Sequence, residues 1–284
     1  MKRLILLVIV SLLFIYFIQI TGYKPNLFVQ QTIKEDLKEK QNEVEKPQKE
    51  KLDTTPEPIK ENLDTKKEPT SQASQSNGNT KVIYFTFDDG PDPEITPLVL
   101  DVLKEQNIRA TFFIRGDCAE KYPELIKRIL DEGHVLGNHT YWHYYKPDFA
   151  TFRESVERTE KFVFNNFGYR MVLFRPPGGY DPPKGGVEYL HGKNIVSLRW
   201  DVDSLDSRDQ YRNDVEGIVS NTIEGIGQVK NKNYIVALFH DGHNQKAICK
   251  AIPQIAKSVR EMGYEIRQLT PEQTANVTGK WAKF

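Results

Sequence analysis

The stretch YFTFDDGPDPE, Tyr84–Glu94, decides how this chain is read. Its first half is an apolar, β-branched and aromatic run, its second is a turn signalled by Gly90-Pro91, and two adjacent carboxylates, Asp88 and Asp89, stand between them. A buried strand that ends in two acids and then turns away places those acids at the C-terminal edge of a sheet.

Outward from this stretch, apolar runs alternate with helical patterns. KVIYFTF, RATFFIRG, HVLGNHT, MVLFRPP, NIVSLRWDV, NYIVALFHD and YEIRQLT read as strands. ITPLVLDVLKEQN, CAEKYPELIKRILDEG, TFRESVERTEKFVFNNFG, DVEGIVSNTIEGI and KAICKAIPQIAKSVREMG read as helices. Repeated strand-helix units in about 200 residues predict an α/β fold with a parallel sheet, closed or nearly closed into a barrel, with active groups at the strand C-terminal ends.

The polar clusters fall at those ends. Asp88 and Asp89 follow the first strand; His139 and His143 follow HVLG; Arg175 follows MVLF; Asp201, Asp203 and Asp206 follow IVSLRW; His240 and Asp241 follow YIVALF. In HTYWH the two histidines are four residues apart, which on a helical turn puts both imidazoles on one face and suits a borderline divalent ion. A third ligand from the Asp-Asp pair leaves one carboxylate over to take a proton from water. His240 is a candidate general acid with Asp206 as its partner, Arg175 can pair with one of the acids, and the turn RPPGG can present a backbone N–H to an oxyanion. DVDSLDSRD has the alternating acids of a calcium loop, but counted from Asp201, Asp206 stands where the turn glycine belongs and Arg212 where the closing glutamate belongs. His134, His191 and His243 read as turn or surface residues, and no G-x-S-x-G elbow is present.

The remainder is not globular in composition. Among 284 residues, 39 Lys+Arg balance 39 Asp+Glu, so net charge gives no argument for nucleic acid. Lys2 and Arg3 precede an apolar run from Leu4 to Ile20, giving a membrane anchor over 1–22 with a cytoplasmic N-terminus; a cleaved signal peptide and a secreted domain are the competing reading. Residues 23–80, rich in Lys, Glu, Gln, Pro, Thr and Ser, read as a disordered tether whose flexible part, about fifty residues, spans on the order of 40 Å. The catalytic domain is placed at 81–275 and a tail at 276–284. Cys118 and Cys249 are left open between a disulfide and two free thiols.

In this order, TFDDGP, HTYWH, RPPGG, DVDSLD and LFH resemble the five motifs of the polysaccharide deacetylases of carbohydrate esterase family 4, the NodB-homology domain. The resemblance covers roughly residues 81–270. It implies an irregular (β/α) barrel that removes N-acetyl groups from amino sugars with a divalent metal, commonly Zn2+, with Co2+, Mn2+ or Ni2+ as alternatives. By this resemblance Asp88 is the base, Asp89 joins His139 and His143 as metal ligands, and Arg175 orients the base. Asp206 tunes the acid His240, the Gly178 amide meets the oxyanion, and Trp142, Tyr180 and Leu238 line the substrate groove. The chain departs from the family at Gly178, often Tyr, and at Ser207, usually Trp; the lost aromatic surface has Trp142, Tyr144, Tyr145 and Tyr180 as possible replacements.

The expected function is metal-dependent deacetylation of an extracellular glycan, with peptidoglycan N-acetylglucosamine first. Poly-N-acetylglucosamine, chitooligosaccharide or N-acetylmuramic acid residues are alternatives, as is a non-catalytic glycan-binding module.

Overall fold

The computed structural model describes residues 81–242, 244–270 and 273–274. The segments expected as an anchor at 1–22, a tether at 23–80 and a tail at 276–284 lie outside the described residues, as does His243. Among the described residues no helix is long and apolar enough to cross a membrane.

Strand β1, Lys81–Asp88, is the centre of the sheet. All of its residues after Lys81 are buried, as expected of a parallel strand covered on both faces. It pairs in parallel along its length with β7, Tyr234–His240, from Val82↔Tyr234 to Asp88↔His240. On its other side it pairs first with β8, Tyr264–Arg267, and then with β2, Thr111–Ile114. Strands β3, Val135–Asn138, β4, Leu173–Phe174, β5, Val196–Ser197, and β6, Val202–Asp203, complete a parallel sheet of order β5-β4-β3-β2-β1-β7-β6. The result is a curled half-barrel with β5 and β6 at opposite ends of the strand order, more open than the closed or nearly closed barrel the alternation suggested.

That opening comes from one stretch. NIVSLRWDV reads as a single strand, but the structure divides it between β5 and β6. Leu198 still donates to the Phe174 carbonyl of β4 at 2.8 Å, whereas Asp201 has already changed partner to β7, its amide donating to Val236 O at 2.8 Å and its Oδ2 accepting from Val236 N at 2.9 Å.

Seven α-helices pack around this sheet: α1, Thr96–Glu105; α2, Gly116–Lys121; α3, Pro123–Asp131; α4, Phe149–Phe167; α5, Gly186–Gly192; α6, Val215–Gln228; and α7, Lys246–Glu261. Helix α4 is started by Asp148, which accepts the Thr151 amide at 2.9 Å, and ended by Gly168 in the left-handed conformation at φ 65°. Asp214 caps α6 through the Gly217 amide at 2.9 Å. The single helix expected over 118–133 is two, because Pro123 has no amide to continue α2 and instead opens α3. Helix α5 was not anticipated: its flanks are glycine-rich, and it buries only Gly186 and Leu190.

The core lies between the sheet and the helices. Phe87 of β1 stacks on Phe112 of β2 at 5.1 Å between centroids and meets Phe239 of β7 at 5.5 Å, which ties the three central strands together. Cys118 and Cys249 are both free and half-buried, and burial raises each thiol to about 11. Since all three rings of the Phe87 cluster are fully buried, Phe87→Ala is expected to lower stability by about 3–5 kcal/mol in urea unfolding, through lost transfer energy and the cavity left behind. A loss under about 1 kcal/mol would show that the centre of the sheet is not close-packed there.

Candidate metal and catalytic site

In a regular strand Asp88 and Asp89 would point to opposite faces of the sheet. Asp88 ends β1, but Asp89 has a left-handed backbone, φ 76°, which breaks the alternation. Both carboxylates consequently approach one imidazole: His139 Nε2 is 3.7 Å from Asp88 Oδ2 and 3.5 Å from Asp89 Oδ1.

The two histidines do come together, though not on the helical turn their spacing suggested. Residues 139–148 form an irregular loop after β3, with Thr140 at φ 67° and His143 at φ 57°. Its turn is held by short polar side chains: Asn138 Oδ1 accepts the Thr140 amide at 2.8 Å, and Thr140 Oγ1 accepts the His143 amide at 3.1 Å. The rings lie 4.9 Å apart, and His143 Nε2 is 3.0 Å from Asp89 Oδ1.

Arg175, at the end of β4, is fully buried. One guanidinium nitrogen donates to Asp88 Oδ1 at 2.7 Å and to Thr86 Oγ1 at 2.8 Å, and another donates to the Arg199 carbonyl at 3.0 Å. Its own carbonyl accepts from His139 Nδ1 at 2.8 Å. A carbonyl only accepts, so Nδ1 carries the ring proton and Nε2 presents its lone pair toward the acids. Burial holds His139 below the ordinary imidazole value against the opposing charges of Asp88 and Asp89, which favours this neutral form.

Across the rim, His240 ends β7 and is held twice by Asp206, which follows β6. Asp206 Oδ1 lies 2.7 Å from His240 Nδ1, and Oδ2 accepts the His240 amide at 2.8 Å. Burial works against the imidazolium, but the charge and hydrogen bond of Asp206, followed by the charges of Asp89 and Asp88, raise it from 6.5 to about 10. A raised folded-state value means that this pairing stabilises the fold fully below about 6.5 and that the contribution fades as the pH rises through about 10. His240 is therefore a proton-carrying group at neutral pH.

The remaining expected residues are also placed. Gly178, at φ 60°, lies in the turn Pro177–Gly179, with Tyr180 exposed beside it. Trp142 is half-buried against Tyr141 and Tyr144, and Leu238 is buried within β7. Asp203 is spent locally, its Oδ1 accepting the Leu205 amide at 2.8 Å. His191 is exposed on α5, but His134 is not a surface residue: its buried Nδ1 accepts the Ala110 amide at 3.0 Å. Asp241, directly after β7, has a structural role. It is buried, accepts from Thr96 Oγ1 at 2.6 Å and from the Gly90 amide, and so pins the loop that follows the two acids. Burial raises it to about 7. A carboxylate next to a motif histidine was the one visible signal of it.

The atoms offered by Asp89, His139 and His143 lie within 4.8 Å of one another. Asp89 Oδ1 is buried and has no hydrogen-bond partner of acceptable geometry, despite two imidazole nitrogens within 3.5 Å. Burial would raise the Asp89 carboxyl, yet the neighbouring imidazoles, His143 first, then His139 and His240, hold it well below the ordinary range. Two imidazoles and one carboxylate, convergent and short of protons, fit a divalent cation.

A buried acid, a second carboxylate beside two histidines and an acid-paired histidine meet at one rim of the parallel half-barrel, the set of groups that metal-assisted hydrolysis calls for. A family model described as polysaccharide deacetylase matches residues 75–184. Two curated relatives from Bacillus cereus are each named peptidoglycan-N-acetylglucosamine deacetylase. One is 40% identical over 49% of this chain and 52% of the relative, the other 36% identical over 63% of this chain and 84% of the relative. The chain thus spans about half the length of the first and most of the second. The crystal structure of the Bc1960 peptidoglycan N-acetylglucosamine deacetylase, in complex with 4-naphthalen-1-yl-N-oxidanyl-benzamide, is 31% identical, with a TM-score of 0.62 over 68% of this chain and 88% of that one. The chain belongs to the polysaccharide deacetylase family.

If Asp206 is what keeps His240 protonated, Asp206→Asn moves the alkaline limb of the pH–rate profile down by about 1–3 pH units. An unmoved limb in that variant would take His240 out of the acid role.

Proposed function

We propose that this chain is a metal-dependent N-deacetylase of an extracellular amino-sugar glycan, with peptidoglycan N-acetylglucosamine as its substrate. The observation that carries the proposal is one rim holding three convergent ligands, a buried base candidate 3.7 Å from one of them, and a histidine raised to about 10. The names of the relatives support the substrate class. The apolar run from Leu4 to Ile20 and the polar segment after it support a domain tethered outside the membrane, within reach of the wall.

Asp89, His139 and His143 would hold the ion, commonly Zn2+, which when bound polarises the acetyl carbonyl and acidifies the attacking water. Asp88 takes the proton from that water. Its Oδ1 is engaged by Arg175, which fixes the carboxylate and leaves Oδ2 on the His139 side. The backbone N–H of Gly178, set by its left-handed turn, is the donor for the developing oxyanion. His240, protonated and held through Nδ1 by Asp206, gives the Nε2 proton to the departing amine. Water adds to the carbonyl carbon, the C–N bond breaks, and acetate and a free amino sugar leave.

Both acids are thereby assigned different work. With the full chain in detergent and N-acetylglucosamine oligomers as substrate, Asp88→Asn is expected to lower acetate release by about 100- to 10,000-fold while Zn2+ stays bound. Asp89→Asn is expected to weaken Zn2+ binding more than about tenfold, the scale of effect seen when even an outer partner of a ligand is removed. Undiminished acetate release from Asp88→Asn, or unchanged Zn2+ affinity in Asp89→Asn, would overturn the respective assignment.

A further inference from the structure

Four aromatic side chains, Trp142, Tyr144, Tyr145 and Tyr180, surround the site, and the structure separates them. The Trp142 ring is already in use: Tyr144 stacks on it at 6.0 Å, Tyr141 meets it at 5.1 Å, and the Arg158 guanidinium lies 5.8 Å from its centroid. Tyr180 has Lys146 Nζ over its ring at 4.7 Å. Tyr145 is 56% exposed, the most exposed large hydrophobic side chain among the described residues. It stands edge-on to the ligand His143 at 5.2 Å and to Tyr180 at 5.9 Å.

The backbone beneath this ring is shaped to admit it. A Cβ at Gly178 would lie 2.9 Å from Tyr145 Cδ1, 3.0 Å from Cε1 and 3.1 Å from Tyr180 Cε2. Glycine at 178 thus does two things: it allows φ 60°, and it leaves the volume that Tyr145 and Tyr180 occupy. An exposed aromatic beside a turn where only glycine leaves it room, one ring away from a candidate metal ligand, is not there for the core. A pyranose in its chair form has an apolar C–H face and an edge of hydroxyls, and a tyrosine beside water matches both.

From this juxtaposition we infer that Tyr145, backed by Tyr180 and seated over Gly178, is the platform on which a pyranose ring of the glycan stacks next to the scissile acetamide. The inference rests on the deacetylase reading and adds to it a residue that sets substrate affinity. Tyr145 touches no proton in transit, so its contribution belongs to binding.

Its test separates the two ideas. An N-acetylglucosamine tetramer is titrated by calorimetry into the Zn2+-loaded full chain carrying Asp88→Asn, so that the oligomer stays intact, with and without Tyr145→Ala or Tyr145→Phe. In parallel, acetate release by the chain without Asp88→Asn is followed on the tetramer and on 4-methylumbelliferyl acetate, which has no pyranose. Tyr145→Ala is expected to weaken tetramer binding about tenfold, equivalent to about 1.4 kcal/mol, while Tyr145→Phe restores it. In the active background KM rises more for the tetramer than for the small ester, which has no sugar ring to stack. Equal tetramer affinity with Ala and Tyr at 145, or no tetramer binding by either, overturns the platform. Loss of binding in Tyr145→Ala with no acetate release by the unmodified chain leaves the platform standing and removes the deacetylase reading instead.

Discussion

The base side of this half-barrel's rim depends on the burial of one guanidinium. Arg175 has no exposed side chain, and a charge so placed is tolerated only when paired and hydrogen-bonded. Its partners come from separate parts of the chain: Asp88 and Thr86 in β1, and the Arg199 carbonyl between β5 and β6. Its backbone joins the same network, the amide donating to Asn138 O at 3.0 Å and the carbonyl receiving the His139 ring proton. The Phe113 ring lies 4.1 Å from the guanidinium carbon. Removing either member of the Arg175–Asp88 pair would strand a charge in the interior at a cost of about 3–5 kcal/mol. One requirement of folding thus also fixes the Asp88 carboxylate and the tautomer of His139, the proposed base and a proposed metal ligand.

The acid side is organised separately. Asp206 binds both the ring and the backbone of His240, so the imidazole is oriented and charged by a residue that belongs to a different strand end. The base pair and the acid pair sit on adjacent strands, since Asp88 and His240 are register partners in the β1–β7 ladder. A continuous parallel register of seven residue pairs is what sets the spacing between Asp88 and His240, the proposed proton acceptor and donor. The two groups are therefore rigidly related, as differential stabilisation of a transition state requires.

Much of this was legible in the sequence because parallel strands, buried on both faces, announce themselves as apolar runs and leave their polar residues at the ends. Asp88, Asp89, His139, Arg175, Asp206 and His240 were all placed at strand ends on that ground alone, and the structure brings them to one rim. What was not legible came from backbone conformations that spacing does not encode. Thr140 and His143 adopt left-handed conformations, so a helical interval is realised by a loop. The run 194–202 changes sheet partner within four residues, because Asp201 can bond the backbone of β7 in place of continuing along β4. Helix α5, with glycine at both ends, has too little apolar periodicity to be seen. His134 does follow a turn and is no ligand, but its burial was not legible for a related reason: its ring satisfies a buried amide. Tyr145 could not be singled out from its neighbours without the close approach of its ring to Gly178.

The central claim is that an acetyl group leaves an amino sugar through the action of Asp88. The most direct measurement is mass spectrometry of muropeptides from N-acetylated cell wall treated with the Zn2+-loaded chain and, in parallel, with Asp88→Asn. The account requires N-acetylglucosamine residues to lose the mass of one acetyl group with the former and to stay intact with the latter. Unchanged glycan masses with the unmodified chain, or equal loss with both proteins, would contradict it.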